Sequence, residues 1–146
     1  MATDYLLDTN ILVSLIRNNT LGQWIQTQYN LRAVMTKCMI SVVTVGEMEK
    51  LARQFGWGNN KLSVMRGLLH QLIWIDINDP AIFSAYAEVD CFNDEQGIAM
   101  GQNDIWIAAT AKASGATLMT TDRDFDHLDP THLTRIWIDP QTPRQP

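Results

Sequence analysis

Four carboxylates sit where a carboxylate is either costly or purposeful. Asp8 ends the apolar run in YLLDTN, and Asp122 ends the run in TLMTTD. Glu47 lies inside the amphipathic stretch TVGEMEKL, and Asp104 opens NDIWIAATA. An aspartate directly after a strand is also a good helix cap or turn residue, so Asp8 and Asp122 taken singly allow either role. Glu47 is three residues from Thr44 and four from Leu51, on the side of its helix that carries the apolar stripe. That side faces a sheet rather than water. Glu49 falls on the opposite face, where pairing with Arg53 at i+4 is its simplest use. Asp104 shares its face with Ile107 and Ala108, and a capping role near the helix dipole stands beside a functional one. Ala108, Ala109 and Ala111 allow this helix to approach a sheet closely and carry Asp104 inward.

Burying one carboxylate is expensive, and burying several together is more so unless a cation neutralises them. Four acids from separate elements, all directed to one end of a sheet, therefore imply a metal site. Its donors are oxygens with no His or Cys among them, which selects hard ions such as Mg²⁺ or Mn²⁺ over zinc. Such a cation turns water into a nucleophile for phosphodiester cleavage, and two of them ~3.5–4 Å apart would also stabilise the leaving oxygen. Histidine-based cleavage fits poorly: His70 is near a helix end, His127 and His132 fall in a polar loop, and all three read as surface residues. A rival chemistry is an aspartate-based phosphotransferase or phosphatase with Asp8 as covalent nucleophile. Haloacid-dehalogenase-type enzymes would want a second Asp two residues on, where Asn10 stands. A receiver domain needs a Lys after a late strand, and Lys112 lies inside a helix.

The elements that must position these acids alternate between two hydrophobic periods. Tyr5–Leu7, Cys38–Ser41, Ile73–Ile77, Thr117–Thr121 and Arg135–Ile138 read as strands. Helical spacing runs from Ile11 to Ile16, from Leu21 to Tyr29, and from about Thr44 to Phe55 with Met48, Leu51, Ala52 and Phe55 as its stripe. Gly56 and Gly58 end that helix, and Asn59–Asn60 start another through Leu62, Met65, Leu69 and Leu72. Pro80 opens a helix reaching about Asp90, and Asn103–Ser114 forms the last, closed by Gly115. Strands separated by helices require crossovers, so the expectation is a three-layer α/β/α domain with a mainly parallel five-stranded sheet. In such sheets sites gather at the carboxyl ends of strands, where Asp8 and Asp122 stand. The domain is expected over residues 1–139, with a proline-rich flexible tail over 140–146.

Length and composition suit one domain with a real core: 146 residues, 46% hydrophobic. No apolar run approaches the ~20 residues that span a bilayer. Asp4 and Asp8 interrupt the N-terminus where a signal peptide would be basic and then apolar. Cys38 and Cys91 cannot make a disulfide framework and read as reduced, partly buried thiols, which points to the cytoplasm. The net charge of −5 is uneven: residues 1–75 hold seven Lys/Arg against four Asp/Glu, residues 76–146 four against twelve. Lys50, Arg53, Lys61 and Arg66 cluster in the basic half. Lys50 and Arg53 share a helix face and are candidate contacts to the phosphates of a polyanion, with solvated helix charges as the alternative.

LLDTNIL, TVGEMEKL, GQNDIWIAATA and LMTTDRDFDHL occur in the order found in the PIN domain, and the chain resembles in particular the VapC-type toxins of bacterial toxin–antitoxin modules. The resemblance runs from Tyr5 to about Ile138. It implies a metal-dependent endoribonuclease acting on RNA, a homodimer, and inhibition by a small antitoxin whose tail fills the groove. It implies that Asp8, Glu47, Asp104 and Asp122 are the metal-binding acids, with Asp124 a substitute or addition and Asp126 a weaker third. Asn10 and Thr120 or Thr121 match polar positions that order the site. The segment Trp57–Ile73 corresponds to an arm used for dimer and antitoxin contacts, with a plain core helix as the alternative. A PIN-like binding module without catalysis remains the other reading of the same fold. A DNA nuclease of the related flap type would need accessory helices for which this length leaves no room.

Overall fold

A computed structural model of the chain describes residues 3–141. Five strands, β1 (Thr3–Leu7), β2 (Thr36–Ser41), β3 (Ile73–Ile75), β4 (Thr117–Thr120) and β5 (Arg135–Trp137), pair entirely in parallel in the order β3-β2-β1-β4-β5. Between them run α1 (Thr9–Arg17), α2 (Thr20–Gln28), α3 (Val42–Gln54), α4 (Asn59–His70), α5 (Pro80–Gln96) and α6 (Gln102–Ser114), with a 3-10 turn at Arg123–Leu128. The expected three-layer α/β/α architecture is the one adopted.

Alternation along the strands sorts the core into two layers. Leu7, Ile40 and Met119 pack with Ile11, Leu12 and Ile25 from α1 and α2 and with Met48, Met65 and Leu69 from α3 and α4. Leu6, Met39 and Leu118 point the other way, onto Val89 of α5 and Ile107, Ala108 and Ala111 of α6. The chain leaves β1 toward β2 and β3 on one side, then returns past β1 to β4 and β5. That reversal between β1 and β4 opens a crevice at their carboxyl ends. Close packing of α1 on α2 depends on Gly22, where an added Cβ would run into the Ser14 carbonyl.

Several local boundaries differ from the sequence expectation, each for a visible reason. Helix α3 begins at Val42 because the Ser41 hydroxyl, at the end of β2, accepts from the Val43 N–H at 3.1 Å. Strand β3 stops at Ile75, before Ile77, since Asp76 and Asp79 each accept a backbone N–H and turn the chain into α5. Helix α5 continues past Asp90 to Gln96: Asn93 is a polar residue buried on its inner face, and only Gly97, at φ 66°, ends it. Phe55 is not core but 46% exposed, with the Arg17 guanidinium 4.8 Å from its ring centre. Cys91 is exposed rather than partly buried, whereas Cys38 is half-buried and burial pushes its thiol up to about 11. Helix α4 contributes Met65 and Leu69 to the core and leaves Val64 outside. Among the described residues no helix is long and apolar enough to cross a membrane. Of the expected tail, residues 142–146 lie outside the described residues.

Candidate active site

Asp8 ends β1 and caps α1 at once. Its Oδ1 accepts the Thr9 N–H at 2.8 Å, and its Oδ2 accepts the Thr120 hydroxyl at 2.7 Å. Thr120 closes β4, the strand beside β1, and its Oγ1 also accepts the Asp122 N–H at 2.9 Å. Asp122 in turn caps the 3-10 turn through Asp124 N, 2.9 Å from its Oδ1. From α3, Glu47 reaches the same place: its Oε1 accepts the Thr9 hydroxyl at 2.9 Å. Asp104 stands in the first turn of α6, whose N-cap Gly101 offers no side chain, and among the described residues Asp104 makes no capping bond. Asp8 and Asp122 each make a capping bond, and because a carboxylate has oxygen lone pairs to spare, capping does not exclude a site role for either.

Asp8, Glu47, Asp104 and Asp122 line one hollow of about 270 Å³, with Thr9, Asn10, Lys50, Leu51, Gln54 and Asn103. One carboxylate oxygen each from Asp104, Asp122 and Asp124 lies within 4.8 Å of the others. Asp124 thus lies beside both Asp122 and Asp104. Burial and crowding together weaken these acids. Burial pushes the Asp8 carboxyl up to about 6, against its hydrogen bonds from Thr120 and Thr9, with the charges of Glu47 and Asp122 adding to the rise. Burial, then the charges of Asp8, Asp122, Glu47 and Asp124, push Asp104 up to about 7. Asp124 is raised chiefly by the charge of Asp122, partly opposed by His127. Acidic oxygens this close want a cation, and an all-oxygen donor set fits Mg²⁺ or Mn²⁺.

Other expected positions fall differently. Asn10 lines the hollow, but Thr9 is the member of DTN that bridges Asp8 and Glu47, and the sequence reading passed over it. Thr121 stays out of the hollow; its carbonyl accepts the Trp137 indole N–H at 3.0 Å. Asp126 is held away by Arg123 and Arg135, at 3.1 and 3.0 Å. Glu49 pairs with Arg66 of α4 at 3.2 Å, not with Arg53, because α4 brings a guanidinium across the exposed face of α3. Lys50 lines the hollow and Arg53 does not. Lys61 lies 5.5 Å from the Trp57 ring centre. His127 and His132 are half-buried rather than surface residues. His127 Nε2 is 2.7 Å from Asn93 Oδ1, and the rings of both histidines lie against Phe92.

Known proteins resemble this chain over most of its length. A Haemophilus influenzae protein named ribonuclease VapC2 is 29% identical over 125 residues, covering 85% of this chain and 91% of the relative. The fold superposes on the crystal structure of VapBC2 from Rickettsia felis bound to a promoter DNA fragment, with a TM-score of 0.79 at 24% identity, covering 94% of this chain and 100% of that one. It also matches VapBC-1 from nontypeable Haemophilus influenzae, with a TM-score of 0.76 at 25% identity over 92% and 98% of the two chains. Residues 5–130 match the family described as the PIN domain. With its acids gathered at the β1/β4 crevice and its sequence matched over that span, the chain belongs to the PIN domain family.

Proposed function

We propose that the protein is a Mg²⁺- or Mn²⁺-dependent endoribonuclease, the toxin of a toxin–antitoxin pair. The observation that carries this reading is the convergence of Asp8, Glu47, Asp104 and Asp122 on one hollow, with Asp124 beside them. Its supports are the PIN family and the likeness to a named VapC ribonuclease. Asp104, Asp122 and Asp124 would hold the cation, with Asp8 and Glu47 as further acids. When bound, a divalent cation supplies Lewis acidity toward the phosphate and lowers the pKa of an attacking water. Thr120 and Thr9 fix the carboxylates of Asp8 and Glu47, so that little reorganisation is left for the reacting state. Lys50, exposed at the rim, would meet a substrate phosphate. Asp8 makes a poor covalent nucleophile: it is 5% exposed and both oxygens already accept hydrogen bonds.

The solved relatives are VapBC assemblies by name, which supports an antitoxin protein as partner. A homodimer and a cytoplasmic location belong to the same reading. The decisive experiment measures cleavage of single-stranded RNA with Mg²⁺ or Mn²⁺, with EDTA, and with Asp104→Asn. Cleavage should need the cation and vanish in the variant. Full cleavage in EDTA would sink the reading.

A further inference from the structure

A strand of RNA cut in the acid hollow must leave it along an adjoining surface, and a groove among the described residues adjoins it. This second hollow, of about 420 Å³, has Val43, Gly46, Ile77 and Trp106 among its walls and shares Glu47, Lys50 and Asn103 with the acid hollow. Two further hollows, beside Gln23–Ala33 and beside Lys112–Thr134, share no residue with it.

The chemistry of the groove is that of a nucleotide read in negative. Its floor is apolar and aromatic, with Trp106 half-buried and held by Tyr86 at 4.2 Å and Phe83 at 6.5 Å between ring centres. At the seam, the Asn103 carboxamide is exposed and has no hydrogen-bond partner among the described residues, so a donor and an acceptor are both free. Lys50, at the same seam, is exposed and makes no ion pair with a described carboxylate. A flat ring, a polar edge and an anionic link would satisfy all three. We propose that this groove is a nucleobase subsite, which packs the base of a nucleotide flanking the scissile phosphate against Trp106 and Ile77 and reads its edge through Asn103. Such a base must be splayed out, so the substrate is unpaired at that nucleotide. This rests on the nuclease reading above and extends it to the class of RNA.

Gly46 provides the test. It lies inside α3 and faces the groove, and an added Cβ there meets nothing within 4 Å. Gly46→Leu therefore fills the groove while favouring the helix. Cleavage of a single-stranded oligoribonucleotide is measured with Mn²⁺ for wild type and Gly46→Leu, with an abasic residue placed on either side of the cut bond in turn. The variant should lose about tenfold in kcat/KM, the scale of one base stack. One abasic substrate should cost wild type the same and add nothing to the variant's loss. The Mn²⁺-induced rise in Tm and the oligomeric mass of Gly46→Leu should match wild type. Unchanged kcat/KM or additive losses overturn the subsite. So does a lost Mn²⁺ response, which places the damage in the acid hollow, or an altered mass, which assigns the groove to a subunit contact. A wild-type protein that cuts no RNA overturns the nuclease reading itself, and the subsite with it.

Discussion

The Thr120 hydroxyl donates to Asp8 Oδ2 at 2.7 Å across 112 positions of sequence, and the same oxygen accepts the Asp122 N–H at 2.9 Å. One buried hydroxyl thus ties the ends of β1 and β4 together and sets the spacing of two carboxylates. Thr120→Val keeps the shape but strands a buried acceptor and a backbone donor. Thermal or denaturant unfolding should show a loss of about 1–3 kcal/mol. Mn²⁺ affinity, read by titration, should fall about 10- to 100-fold, the scale for groups that orient ligands. Wild-type affinity in a destabilised Thr120→Val would confine Thr120 to a structural role.

The weakened acidity of Asp8 and Asp104 makes a signed prediction about pH. Burial, with the charges of the neighbouring acids, pushes the Asp8 carboxyl up to about 6 and the Asp104 carboxyl up to about 7. The folded protein therefore binds more protons than the unfolded chain between pH 4 and about 7, and these two groups lower stability as pH rises through that window. Their contribution is fully favourable only below the unfolded carboxyl range. A cation should offset the repulsion, so the Tm increase caused by Mn²⁺ should be larger at pH 8 than at pH 5. An increase independent of pH would mean that the cation does not bind these carboxylates.

Two neighbouring glutamates should separate cleanly. Glu47→Gln should depress RNA cleavage and Mn²⁺ affinity, because its Oε1 belongs to the acid hollow. Glu49 points to Arg66 on the outer face, where that guanidinium holds its carboxyl below the usual range. Glu49→Gln should leave both measurements at wild type. Equal damage from both variants would contradict the placement of Glu47.

Lys50 and Arg53 share a helix but not a setting. Only Lys50 lines the hollow. With catalytically dead Asp8→Asn protein, Lys50→Ala should weaken RNA binding and reduce its salt slope by about one, while Arg53→Ala should do neither. Identical behaviour of the two variants would assign the contact to the helix face as a whole.

Gly22→Ala should destabilise the fold away from the site. The new methyl meets the Ser14 carbonyl, so α1 and α2 must separate. Overpacking of this kind costs about 1–3 kcal/mol. A Tm equal to wild type would show that the two helices slide apart freely.

Sequence by itself determined the period of each element, and with it the layers. Leu6 and Leu7 had to face opposite sides of β1, and crossover-length helices between strands required parallel pairing. It also marked Asp8, Glu47, Asp104 and Asp122, because carboxylates at strand ends and on inward helix faces are costly to keep. Tertiary structure alone decided what depends on distance rather than period. Strand order put β4 beside β1 and so Thr120 against Asp8. The 3-10 turn after β4 folded Asp124 back onto Asp122 and Asp104 and left Asp126 to the arginines. Thr9 became a bridge only once α3 lay alongside α1, and Glu49 found Arg66 rather than Arg53 only once α4 crossed it. Periodicity is a property of adjacent residues, whereas these contacts join residues up to 112 positions apart, and only the packed sheet fixes their separation.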